Sequence, residues 1–133
     1  MAYPLREDTF EEFCKVTKGT PTREDGYVVC KYEDGTKLLY RQVNNHHEFT
    51  IFRKDYKTVA RTKEGEHCMV FDSFTPSIIC AGPEEKLGGL TIASTDKGFA
   101  YHANSGPLLE INTSIKLPPR EKVPAKLMSM EPW

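Results

Sequence analysis

From Tyr27 to Leu117 the chain is cut at intervals of roughly 8 to 12 residues by glycine, asparagine, aspartate or proline, and the runs between the cuts are rich in β-branched and aromatic residues. This punctuation constrains the fold more than any other feature, because runs so short cannot be helices of ordinary length. "YVVCKYEDGTKLLYRQV" places two such runs around Asp34-Gly35, a dipeptide suited to the positive φ angles of a two-residue hairpin turn. "HEFTIFRKDYKTVARTK" reads as two more extended runs turning near Lys54-Asp55. "EGEHCMVFDS" and "SIICAG" read as strands, and "LTIASTDKGFAYHA" as a hairpin with Gly98 at a left-handed turn position. In "GPLLEINTSIKL", Leu109, Ile111, Thr113 and Ile115 alternate with polar residues, the period of a strand with one buried face.

About nine short strands over residues 27–117 predict a mainly β fold, a small antiparallel barrel or sandwich. An α+β sheet with one helix across a face is the alternative. The helix itself is expected over residues 8–18. Asp8 is placed as N-cap with Glu11 three residues on, and Phe10, Phe13, Cys14 and Thr17 share one face. Gly19 is placed to end the helix in a left-handed conformation. Residues 1–117 then make one domain.

Residues 118–133 differ in character. Pro118, Pro119, Pro124 and Pro132 exclude a sheet interior, yet Leu127, Met128, Met130 and the single tryptophan, Trp133, are apolar. Such a tail is expected to dock, on its own domain or on a partner, with those four side chains as anchors.

Apolar runs are too short to span a membrane, and the first residues lack a cationic start followed by an apolar core; the expected location is the cytoplasm. Cys14, Cys30, Cys68 and Cys80 form no Cys-x-x-Cys pair and have apolar neighbours, so they read as reduced, buried thiols.

The net charge is −1, but residues 37–63 hold seven Lys and Arg against two acidic residues. Arg41, Arg53, Lys54, Lys57 and Arg61, with Tyr56 among them, form a candidate surface for phosphates or for a protein partner. Strand parity argues against one continuous strip, since Arg53 faces away from Thr50 and Phe52. The overall charge also argues against a dedicated nucleic-acid binder.

The adjacent His46 and His47 read as turn residues that cannot chelate one ion together. A metal site would require His47, His67 and His102 to converge, and none is expected. There is no nucleophile elbow, phosphate-cradling loop or zinc signature. Cys68 with His102 as base is the least poor catalytic pairing, and Asp72 and Glu110 are carboxylates with no partner in sequence. No cofactor is implied. The expectation is a small non-enzymatic protein that acts by occupying a protein partner, in the manner of an accessory or inhibitory protein of a virus or mobile element. A homodimer is compatible with it. The alternative is a nucleotide or single-stranded nucleic-acid binder using residues 37–63.

Overall fold

The computed structural model describes residues 1–53, 56–62, 67–72, 74–81, 90–96, 98–103 and 108–116, with the backbone alone at 56, 81, 103 and 108–116. The chain runs β1 (Ala2–Pro4), α1 (Glu7–Val16), β2 (Thr20–Glu24), β3 (Tyr27–Lys31), β4 (Lys37–Val43), β5 (His46–Arg53), β6 (Tyr56–Thr62), β7 (His67–Phe71), β8 (Ser77–Ala81), β9 (Leu90–Thr95), β10 (Gly98–Ala103) and β11 (Leu108–Lys116). One antiparallel sheet has the order β1-β7-β8-β9-β10 and the other β11-β6-β5-β4-β3-β2. The mainly β, sandwich-like fold with one N-terminal helix is as expected.

Two strands lie beyond the expected set, β1 and β2. β2 holds Pro21, which a sheet edge tolerates because an edge strand needs fewer ladder donors. Asp25 and Gly26, at φ 52° and 84°, turn β2 into β3. At the Asp34-Gly35 hairpin Gly35 takes φ 90°, and Asp34 Oδ1 accepts the Thr36 amide at 2.8 Å. Asn44 and Asn45, both at positive φ, join β4 to β5. His46 and His47 are therefore strand residues, not turn residues.

The helix starts one residue earlier than expected and is capped differently. Arg6 is the N-cap, and its amide donates to Thr9 Oγ1 at 2.8 Å. Asp8 lies inside the first turn, where Oδ1 accepts the Thr9 amide and the carboxyl is held below its usual range by that bond. At the other end Lys18, not Gly19, takes the left-handed conformation, with φ 71°. Gly19 is needed for space: a Cβ there would stand 2.2 Å from Cys30 Sγ and 2.9 Å from Cys14 Sγ.

Those sulfurs are bonded. Cys14–Cys30 ties α1 to β3, and Cys68–Cys80 links β7 to β8, so the expectation of reduced thiols fails. Cys68 stands opposite Cys80 in register, and Cys14 is carried onto Cys30 by the packing of the helix; neither proximity is visible in spacing alone.

The core lies between the sheets. Phe10, Phe13 and Cys14 of α1 meet Tyr40, Phe49 and Ile51 from the six-stranded sheet and Val70, Ile78, Leu90 and Ile92 from the other. Each such side chain contributes about 1.5–3 kcal/mol on burial. Phe10 stacks on Tyr40 at 5.2 Å, and Arg23 bridges Glu7 and Glu11 from β2. No helix of the described residues is long and apolar enough to cross a membrane.

Candidate functional site

The opposite face of the six-stranded sheet points away from this core, and it holds the cationic segment. Alternation along β4, β5 and β6 sends every second side chain outward, and the register assembles them in rows. Lys37, Phe52 and Lys57 form one row, Leu39, Thr50 and Val59 the next, and Arg41, Glu48 and Arg61 the third. β3 adds Lys31, Val29 and Tyr27 alongside. Tyr27, Val29, Leu39 and Phe52 form a second apolar cluster, separate from the core.

This face has interior character despite its charges. Glu48 is fully buried, with Arg41 on one carboxylate oxygen and Arg61 Nη2 3.3 Å from the other. The Arg41 guanidinium also lies 4.6 Å over the Tyr27 ring. Lys31 pairs with Glu24 at 2.8 Å, and that bond holds the Glu24 carboxyl low.

Lys57 has no such arrangement. Its side chain is 1% exposed, and Nζ makes no hydrogen bond among the described residues. The nearby Thr50 Oγ1, one row away, is also buried and without a hydrogen bond. Burial pushes the Lys57 ammonium below the usual lysine range, against the pull of Glu48. The Lys57 ammonium and the Thr50 hydroxyl are each a buried polar group whose hydrogen-bonding capacity is unused among the described residues.

Of the expected binding residues, Arg41, Lys57 and Arg61 thus share one face, and Lys37 joins them. Arg53 does not: Nη2 donates to Phe99 O at 3.0 Å and the guanidinium sits 4.5 Å over the Phe99 ring, clamping the two sheets together. Parity foretold that separation. Lys54 lies outside the described residues, Tyr56 is described by its backbone in β6 alone, and the tail anchors Leu127, Met128, Met130 and Trp133 lie outside them as well. The sequence reading missed Tyr27, Glu48 and Thr50. Their parity was legible, but which face would be buried was not.

The histidines do not assemble. His47 is buried, hydrogen-bonded through Nδ1 to the Tyr40 hydroxyl at 2.9 Å, and burial together with nearby His67 lowers its pKa. His46 Nδ1 lies 2.8 Å from Thr62 O, and His102 is exposed on β10. No cluster of three or more metal-ligating side chains occurs among the described residues. Cys68, held in its disulfide, is not a thiolate nucleophile for His102 to activate. Asp72 is paired with the Met1 amino group at 3.1 Å, and the Glu110 side chain lies outside the described atoms.

An apolar groove of about 310 Å³ between α1 and β7 is lined by Tyr3, Phe13, Val16 and Val70 among others. It contains no comparable unmatched polar group among those residues. No family model, curated protein or solved structure matches the chain.

Proposed function

We propose that this protein is a small non-enzymatic binding protein that acts by occupying a protein partner, and that the outer face of the six-stranded sheet receives an acidic side chain of that partner. The observation that carries this is the buried Lys57 ammonium, which makes no hydrogen bond among the described residues. A partner carboxylate there would make a charge-assisted hydrogen bond to a buried ammonium that has none among the described residues. Around it, Leu39, Phe52 and Tyr27 favour apolar and aromatic flanking residues.

The clustering of Lys37, Arg41, Lys57 and Arg61 on one face with Tyr27 and Phe52 favours a second reading, in which phosphates of a nucleotide or single strand take the same position. One experiment separates them. Peptides selected from a random display library against the purified protein should converge on an Asp or Glu between apolar residues. They should lose binding in Lys57→Met and keep it in Arg53→Gln. Selected peptides without a carboxylate, or indifferent to Lys57→Met, overturn the protein-partner reading. Binding of a labelled single-stranded oligonucleotide that weakens with salt and with Lys57→Met establishes the second.

The two disulfides bear on compartment. Disulfides persist where the surroundings are oxidising, so we place the protein in such a compartment and not in the cytoplasm that the sequence suggested.

A further inference from the structure

The core opens at one edge of the five-stranded sheet. An inward-facing row of that sheet runs from Ile78 through Val70 to Tyr3 on β1, the edge strand. Ile78 and Val70 are buried, whereas Tyr3 at the edge is 37% exposed. On the facing side Phe13 of α1 is buried and Val16, three residues on, is half exposed. Between these walls lies the apolar groove of about 310 Å³, large enough to take an aromatic side chain.

The segment beside this groove carries such a side chain. Phe71 and Ser77 pair at the end of the β7–β8 ladder, and Phe74 is the middle residue of the connection between them. Asp72 and Pro76, on either side of it, line the groove, while Phe74 itself is wholly exposed. Met1, Tyr3, Val16 and Phe74 are four of the five large apolar residues that stand exposed among the described residues, and all four lie on the groove wall or on the segments that supply it. A gathering of that kind marks an interaction surface. The acids of this surface are matched: Glu12 lies 3.6 Å from Lys15, and Asp72 3.1 Å from the Met1 amino group. Two such surfaces can therefore meet without like-charge repulsion.

We propose that two copies of this chain pair about a two-fold axis by exchanging Phe74, each ring entering the other copy's groove against Tyr3, Phe13, Val16 and Val70. Anchor and groove lie side by side on one face, which is the condition for self-complementary pairing: what one copy gives, it also receives. Each insertion removes a ring from water and fills a groove that stands open, which makes Phe74 the anchor residue of the interface. None of these residues belongs to the outer face of the six-stranded sheet, so the pairing does not rest on the binding function proposed above and leaves that face clear in both copies.

Sedimentation velocity of the full, disulfide-bonded chain tests this. Wild type should form dimers at tens of micromolar, and the dissociation constant should rise at least about a hundredfold in Phe74→Ser and in Val16→Glu. Both side chains are exposed in the single chain, so far-UV circular dichroism and thermal unfolding of the dilute variants should match dilute wild type. An equimolar mixture of the two variants is the discriminating sample. Phe74→Ser keeps a groove and Val16→Glu keeps an anchor, so the mixture restores one of the two insertions. It should associate at least about tenfold more tightly than either variant alone. Wild type that stays monomeric, or a dimer that tolerates Phe74→Ser, overturns the proposal. So does a mixture that associates no more tightly than its components, because the variants would then weaken a contact that involves no exchange of Phe74.

Discussion

Lys57 stands directly opposite Phe52 in the β5–β6 ladder, its ammonium 5.9 Å from the ring centroid and without a hydrogen bond among the described residues. Replacing such a buried cation, which makes no hydrogen bond among the described residues, by an apolar residue of similar length removes a desolvation cost. Lys57→Met should stabilise the protein at neutral pH by about 1–3 kcal/mol in urea denaturation. The same change should abolish binding of acidic peptides, so stability and function move in opposite directions.

The pH dependence follows from the direction of the shift. In the folded state Lys57 holds its proton less tightly than in the unfolded chain, whose lysine has the ordinary value of 10.5. Between the folded and unfolded values the unfolded chain binds more protons, so this group makes stability climb with pH up to about 10.5. Thermal denaturation from pH 8 to 10.5 should show that climb in wild type and a flatter profile in Lys57→Met.

Glu48 is the counterpart case, a buried charge with partners. Glu48→Gln would leave the Arg41 and Arg61 guanidiniums, only 13% and 21% exposed, without their carboxylate. A loss of about 2–4 kcal/mol is expected, and urea denaturation measures it. The double variant with Arg41→Met should lose less than the sum of the singles, since Arg41 and Glu48 share one ion pair.

His47 titrates in the opposite region. Burial and neighbouring His67 keep its folded value below the ordinary 6.5, while the Tyr40 hydroxyl and the Thr62 side chain satisfy the ring and the backbone around it. The unfolded chain takes up the proton first as pH falls below 6.5, so the His47 contribution to stability is present above that value and is lost in acid. Melting temperatures measured from pH 7 to 5 should fall less steeply in His47→Gln, offset by the lost contact with Tyr40.

Gly19 is fixed by the Cys14–Cys30 bridge. Gly19→Ala places a methyl where the sulfurs are and should cost about 2–3 kcal/mol under oxidising conditions. With both disulfides reduced, the sulfurs are freer to move and the gap between variant and wild type should narrow. An unchanged gap would locate the effect in the backbone.

Local chemistry explains what was legible beforehand. Asp34-Gly35 and the period-two alternation of β4, β5 and β6 act between near neighbours, so strand positions, the hairpins and the mainly β class could be read along the chain. The separation of Arg53 from Phe52 followed from the same parity. β1 and β2 were missed because three exposed residues and a proline-bearing run carry little local strand signal. The cap was misplaced because Arg6 is a poor N-cap by type, and Thr9 supplies the capping oxygen from inside the helix.

The sequence by itself determined the alphabet of short strands, their turns, the amphipathic face of α1 and the concentration of cations in residues 37–63. Only the tertiary structure decided that β1 pairs with β7 and β11 with β6, that the cysteines bond as 14–30 and 68–80, and that the outward face of the cationic strands is buried. Those are contacts between residues far apart in the chain. Their stability comes from apolar area removed from water when whole layers close, a quantity that no window of neighbouring residues contains.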